Sequence, residues 1–124
     1  KTYKESISEE DFSQRKYDKL LNRPSLSSVV FAICMKRQET ERIPEIEEIE
    51  AVACSVQNIH LTATAYGLGG YWSSGKVAYS DKMKSFLNLG EKDRCLGLFY
   101  VGYPNIEWPK SRRKTIEHKT EWRK

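Results

Sequence analysis

The residues best suited to chemistry form one short run, Ala65-Tyr66-Gly67-Leu68-Gly69-Gly70-Tyr71-Trp72-Ser73-Ser74-Gly75. A glycine just past a helix end readily takes the left-handed conformation that a Cβ resists. The next glycines let the backbone turn sharply and come close to a bound molecule. Trp72, Ser73, Ser74 and Gly75 then add a large ring, two hydroxyls and unobstructed amides. Together they suit a flat ligand with a polar edge, held by backbone amides and stacked near the ring. The same residues are also compatible with a helix C-cap leading into a buried strand. The segment alone leaves both readings open.

The second chemical feature is charge. The chain carries 21 Lys and Arg against 17 Asp and Glu, a net charge of +4. Residues 109–124 hold seven of the basic side chains and two of the acidic ones, so the basicity belongs to the tail. A general nucleic-acid binder spreads its basic patch over a fold. The tail fits either an anion contact or a solvated extension, and nucleic-acid binding through it is the weaker idea.

Other chemistries lack their residues. Cys34, Cys54 and Cys95 have no metal-ligand spacing and each sits in an apolar run. They read as reduced, buried thiols, which points to the cytoplasm. His60 falls on the apolar face of a helix and reads as a hydrogen-bonded core histidine. His118 reads as part of a solvated tail. No metal site is expected, and no Ser/His/Asp or Cys/His constellation is visible. No apolar run approaches the ~18 residues of a membrane span, and no signal-peptide pattern is present.

The elements that must position these residues can be read from periodicity. At 124 residues the chain is expected to be a single domain. A short helix is expected from Ser8 to Leu21. Ser28–Met35 is a continuous apolar run and reads as a strand buried on both faces. Pro44 fits a first helical turn, with Glu45, Glu47 and Glu48 favouring its positive end, and these three with Glu50 read as a solvated face that complements the helix dipole. Ile46, Ile49, Val52, Ala53, Val56, Ile59, His60 and Ala63 recur at three- and four-residue steps, marking one face of a helix that runs to about Tyr66. Gln57 and Asn58 sit mid-helix, where capping of a neighbouring backbone group is the expected role. Ser80–Leu87 reads as a short capped helix, Gly90–Arg94 as a turn, and Cys95–Tyr103 as a second buried strand stopped by Pro104. This order implies an α+β fold with a mixed or antiparallel sheet flanked by helices.

In this order and spacing the pieces resemble the C-terminal part of the nitroreductase superfamily. The resemblance rests on Ser55-Val56-Gln57-Asn58-Ile59, the segment Gly67–Gly75, Met83-Lys84-Ser85-Phe86-Leu87-Asn88-Leu89, Leu98–Pro104, and Pro109-Lys110-Ser111-Arg112. It covers about residues 27–115, with 105–124 as a basic C-terminal extension. It implies an FMN-binding fold, a homodimer with the flavin at its interface, and ping-pong electron transfer from NAD(P)H to nitroaromatics, quinones or similar small acceptors. From the charge distribution and the lack of a long apolar run, no nucleic-acid or membrane partner is expected. By the same resemblance Trp72, Ser73, Ser74 and Gly75 lie against the flavin ring, and Lys110 and Arg112 hold its phosphate. No catalytic side chain is implied, because the reactive atom belongs to the cofactor. Nothing in residues 1–26 matches the family's N-terminal Arg/Ser-rich motif. Arg23-Pro24-Ser25 has the residue types in a different position and context. Either the family's N-terminal portion is absent from this chain or its site is incomplete here, and the alternative to an enzyme is a non-catalytic dimerising or interaction module.

Overall fold

The computed structural model describes every residue except 1, 6, 109, 111 and 124. In chain order its elements are α1 (Thr2–Glu5), α2 (Gln14–Asn22), β1 (Val29–Met35), α3 (Glu45–Ala65), β2 (Gly69–Ser73), α4 (Asp81–Phe86) and β3 (Arg94–Gly102). The three strands form one antiparallel sheet in the order β1-β3-β2. The α+β expectation is met, and the sheet is antiparallel throughout.

The pleat of β3 separates two apolar layers, because successive side chains point to opposite faces. Phe99 and Val101 pack with Ile33 of β1 and with Val56 and Ala63 of α3. On the other face, Leu98 and Cys95 meet Ala78 and Met83, with Cys34, Val77 and Leu87 packed around them. Phe99 is fully buried. Helix α3 is about 32 Å long at 1.5 Å per residue, and it covers only one face of the sheet.

Local chemistry sets the element ends. Pro44 precedes α3, and Glu45, Glu47 and Glu48 occupy its first turn, where negative charge offsets the unpaired amides. Glu48 is more than part of a solvated face: it pairs with Arg37, and its other oxygen accepts from the Gln38 amide at 3.1 Å. The exit from β1 is thereby tied to the start of α3. At the far end, Gly67 has φ +72° and the Leu68 amide donates back to Ala63 at 2.9 Å, closing the helix as expected. Ser80 caps α4 through its hydroxyl, which accepts from the Met83 amide at 3.2 Å.

Three expectations are corrected. Helix α2 starts at Gln14, capped by Ser13, and not at Ser8. The residues before it fold back so that Tyr3, Phe12 and Tyr17 stack with centroids 5.7–6.2 Å apart. Strand β1 is not buried on both faces: Val29, Val30 and Phe31 are exposed. It is an edge strand, and the buried clusters reach only its second half. Cys54 is exposed on the outer side of α3, so only Cys34 and Cys95 are covered, the first partly and the second fully.

A β-bulge interrupts the ladder between Ile33 and Cys34. Ile33 pairs with Gly97 and Cys34 with Cys95, leaving Leu96 as the extra residue. Gly97 adopts φ +143°, and a Cβ there would lie 2.5 Å from Trp72 Nε1 and 2.6 Å from the Ser73 carbonyl oxygen. Gly97→Ala therefore combines backbone strain with a clash, and urea unfolding should show a loss of about 2–4 kcal/mol. Just before β3, Asp93 is buried and its carboxylate accepts from the Arg37 amide at 2.9 Å and the Gly90 amide at 2.8 Å. These two backbone bonds, Arg37 first, hold its carboxyl below the ordinary value of 3.8. The depressed value means that the bonds stabilise the fold above that pH and are lost as pH falls through the lower folded value. The unfolding midpoint should drop as pH falls below about 4, and Asp93→Asn should flatten that dependence while lowering stability at neutral pH.

Candidate functional site

Strand β2 alternates across the sheet, so Trp72 and Ser73 face opposite ways. Trp72 pairs with Phe99 on the α3 side and lies against Gly97. Tyr71 pairs with Tyr100 on the other side, and Ser73 with Leu98. The two glycines ahead of them serve packing first. A Cβ on Gly70 would meet the Phe99 ring at 2.7 Å and His60 at 3.1 Å. His60 itself is exposed, not a core histidine, with its ring edge-on to Phe99 at 5.5 Å.

On the Tyr71 side the chain places a residue whose role the sequence does not reveal, Arg23. It closes α2, its amide donating to the Lys19 carbonyl at 3.1 Å, and Pro24 prevents the helix from continuing. The Arg23 side chain then crosses to the sheet. One Nη donates to the Ser73 hydroxyl at 3.2 Å. The guanidinium carbon stands 4.8 Å from the Tyr71 ring centroid and 5.6 Å from that of Tyr100. Burial pushes the Tyr100 phenol above its ordinary value, and the Arg23 charge opposes that rise. Arg23 has no carboxylate partner among the described residues.

Two cavities meet at this residue. The smaller, about 300 Å³, is bordered by Ser73, Ser74 and Gly75 and by Lys16, Lys19 and Lys76. Val77, Met83 and Leu98 add apolar lining. The larger and more open one, about 710 Å³, runs along Gly69, Gly102, Tyr103, Ile106 and Trp108. Both share Lys19, Arg23, Tyr71 and Tyr100. No carboxylate borders either among the described residues. Nothing stands within 4 Å of where a Gly75 Cβ would sit, so its backbone faces open space. The site thus offers aromatic side chains, a glycine with open space beside it and positive charge in a trough of ligand size.

Of the residues singled out from sequence, Ser73, Ser74 and Gly75 are brought together on this trough. Trp72 faces away from it, on the α3 side, and borders neither cavity. Lys110 and Arg112 are exposed and border neither cavity; Pro109 and Ser111, the rest of that motif, lie outside the described residues. Arg23-Pro24-Ser25 carried a visible signal in its residue types. What sequence could not show is that the Arg23 side chain crosses fifty residues of chain to reach Ser73. Among the described residues no group of three or more His, Cys, Asp or Glu could hold a metal, and no helix is long and apolar enough to cross a membrane.

The family described as "Nitroreductase family" matches residues 2–103. The chain belongs to the nitroreductase family. The match includes α1, α2 and Arg23 and stops before Lys110 and Arg112. YdjA of Escherichia coli, whose name carries a provisional assignment as an NAD(P)H nitroreductase, is 28% identical over 90 residues, which are 73% of this chain and 49% of that protein. The chain spans about half the length of the curated relatives it matches. The crystal structure of a nitroreductase-like family protein from Bacillus cereus superposes with TM-score 0.73 and 26% identity, covering 94% of this chain and 62% of that one. A structure from Desulfovibrio desulfuricans, described as a complex with FMN, superposes with TM-score 0.61 at 23% identity, covering 78% of this chain and 56% of that one. That second likeness shows the fold alone.

The Arg23 arrangement depends on a planar, forked cation. Arg23→Lys keeps the charge but loses the stacking plane. Both Arg23→Lys and Arg23→Met should lower unfolding free energy by about 1–2 kcal/mol, read by urea titration of tyrosine and tryptophan fluorescence.

Proposed function

We propose that residues 1–124 form one nitroreductase-like domain that binds FMN on the Tyr71 side of the sheet. In this reading the protein is a cytoplasmic oxidoreductase of the nitroreductase type. NAD(P)H and a nitroaromatic, quinone or similar acceptor occupy the site in turn. The carrying observation is the trough where Ser73, Ser74, Gly75 and Arg23 converge, on a chain of this family.

The residues fit such a group. A flat, phosphate-bearing molecule needs ring-sized walls, donors at its edge and positive charge without competing carboxylates. Tyr71 and Tyr100 supply walls, and the backbone from Ser73 to Gly75 borders the same cavity. Lys16, Lys19 and Arg23 supply charge, while Lys76 at the same cavity is paired with Asp11. Amides aimed at the ring's polar edge would meet negative charge as it develops on reduction. Bound FMN would supply the hydride and electron transfer itself. Trp72 contributes from behind, locking β2 over Gly97. Lys110 and Arg112 are proposed to hold the phosphate through charge-assisted bonds. Lys110 lies two residues beyond Trp108, which borders the larger cavity, so its Cα is within about 7 Å of the Trp108 Cα.

A homodimer is part of the proposal. Val29, Val30 and Phe31 on β1, with Ile46 and Leu61 on α3, leave apolar side chains exposed, and an uncovered edge strand invites pairing. The same exposure also favours the second reading, a non-catalytic dimerising module.

The test is flavin retention. The protein incubated with FMN and desalted should keep flavin absorbance, and flavin fluorescence should titrate as a saturable curve. Arg112→Ala should weaken binding by about three- to tenfold. A dimer by light scattering that binds no flavin and oxidises no NAD(P)H would select the second reading and reject the first.

A further inference from the structure

Cys34 and Cys95 stand opposite each other on neighbouring antiparallel strands, in register at the bulge. Both belong to the apolar cluster beneath α4. Directly opposed residues of an antiparallel pair have Cα atoms about 4.5–5.5 Å apart, inside the range of about 4.4–6.8 Å that a disulfide spans. We propose that Cys34 and Cys95 form a redox-modification site, joined into a cross-strand disulfide by a two-electron oxidant of the peroxide class. Nothing in the electron-transfer reading of the Tyr71 side requires either thiol, so the two proposals stand independently.

Access, orientation and adaptability each have a structural basis. Cys95 is buried, but it borders a cavity of about 140 Å³ together with Leu96 and Tyr79. That exceeds the ~30 Å³ share of a water molecule several-fold, so a small peroxide fits. The Cys95 thiol donates towards the Gly97 carbonyl oxygen at 3.8 Å, which holds the sulfur over the bulge. The extra residue, Leu96, lets the ladder twist locally as the sulfurs approach each other. Cys54, exposed on α3, belongs to neither cluster and serves as an internal control.

The chemistry balances with one peroxide. The Cys95 sulfur attacks one peroxide oxygen, the O–O bond breaks, and water leaves with the thiol proton, giving a sulfenic acid. The Cys34 sulfur then attacks the Cys95 sulfur. The S–S bond forms as the S–O bond breaks, and a second water leaves with the Cys34 proton. Two thiols lose two electrons and the peroxide gains them. Burial, then the adjacent Cys95 thiol, pushes Cys34 up to about 11. Its thiolate is scarce at neutral pH, so closure is slow there and accelerates as pH rises. In a reducing compartment such a bond is a reversible switch and not a permanent staple.

The experiment uses the full chain and its Cys54→Ser variant, which removes the exposed thiol. Each is treated with hydrogen peroxide at pH 7, 8 and 9, denatured, alkylated with N-ethylmaleimide and weighed intact. In Cys54→Ser the expected product is monomeric, two hydrogens lighter than the reduced protein and unalkylated. Its tryptic map should contain one Cys34–Cys95 crosslinked peptide. Formation should quicken with pH, dithiothreitol should reverse it, and the melting temperature should rise by about 10 °C. Cys34→Ser should instead stall at sulfenic or sulfinic acid on Cys95. Sulfinic acid at Cys95 beside an alkylatable Cys34 in the Cys54→Ser protein would overturn the proposal. So would full alkylation of both thiols after peroxide and after diamide at pH 9. An unoxidised Cys95 in Cys34→Ser would overturn its role as the attacking thiol.

Discussion

Strand β3 is hydrogen-bonded on both edges, and both apolar clusters contain its side chains. Its alternation hands Phe99 and Val101 to α3 and Leu98 and Tyr100 to the opposite side. That single constraint makes a three-stranded sheet hold two different layers. One layer is packed closely enough that Gly70 and Gly97 admit no Cβ. The other is left open between the sheet and α2, and there the cavities form. Packing on one face therefore fixes the geometry of the chemically useful face. A side chain at Gly97 would press directly on Ser73, and a change at Phe99 would shift the neighbouring Tyr100 through the strand.

The elements with strong local signals were legible in the sequence. Helix α3 declared itself by its apolar stripe, Pro44 and its first-turn glutamates, and it ends at Gly67 as the glycine requires. Ser80 marked α4, and the apolar run to Pro104 marked β3. What was not legible depends on neighbours distant in sequence. The run Val29–Ala32 looks like a buried strand because composition cannot say whether a strand lies at an edge. Strand β2 was one of two readings of the glycine segment. Gly70 is required by Phe99 and His60 and Gly67 by the helix end, so the helix-cap reading accounts for much of what first suggested a ligand. The polar half of the segment is different: Ser73 to Gly75 does border a cavity. Arg23 could not be placed, since its contact with Ser73 spans fifty positions.

Charge ties these layers together at the opposite end of the sheet. Arg37 follows β1; its side chain pairs with Glu48 and donates to the Ile43 carbonyl at 2.7 Å, while its amide donates to Asp93. One residue thus links the end of β1, the first turn of α3 and the turn before β3. Glu48 and Arg37 are largely covered, so removing either partner leaves a charge poorly solvated, an effect of about 3–5 kcal/mol where burial is complete. The exposed pairs Lys76–Asp11 and Lys92–Glu41 lie in water and contribute little by comparison.

Two sources of positive charge bear on the proposed phosphate contact, and they differ physically. Arg23 is fixed by α2, two tyrosine rings and Ser73, so its guanidinium is already ordered before any ligand arrives. Lys110 and Arg112 are exposed, and ordering them on a phosphate costs side-chain entropy of roughly 1–2 kcal/mol each. A charge-assisted bond contributes about 1.5–3 kcal/mol, which leaves a small net gain for each tail residue. Arg23 has no such ordering cost, but its stacking on Tyr71 and Tyr100 limits how far it can turn. The tail would therefore adjust affinity for an anionic ligand, whereas Arg23 would fix where that ligand's charge can lie.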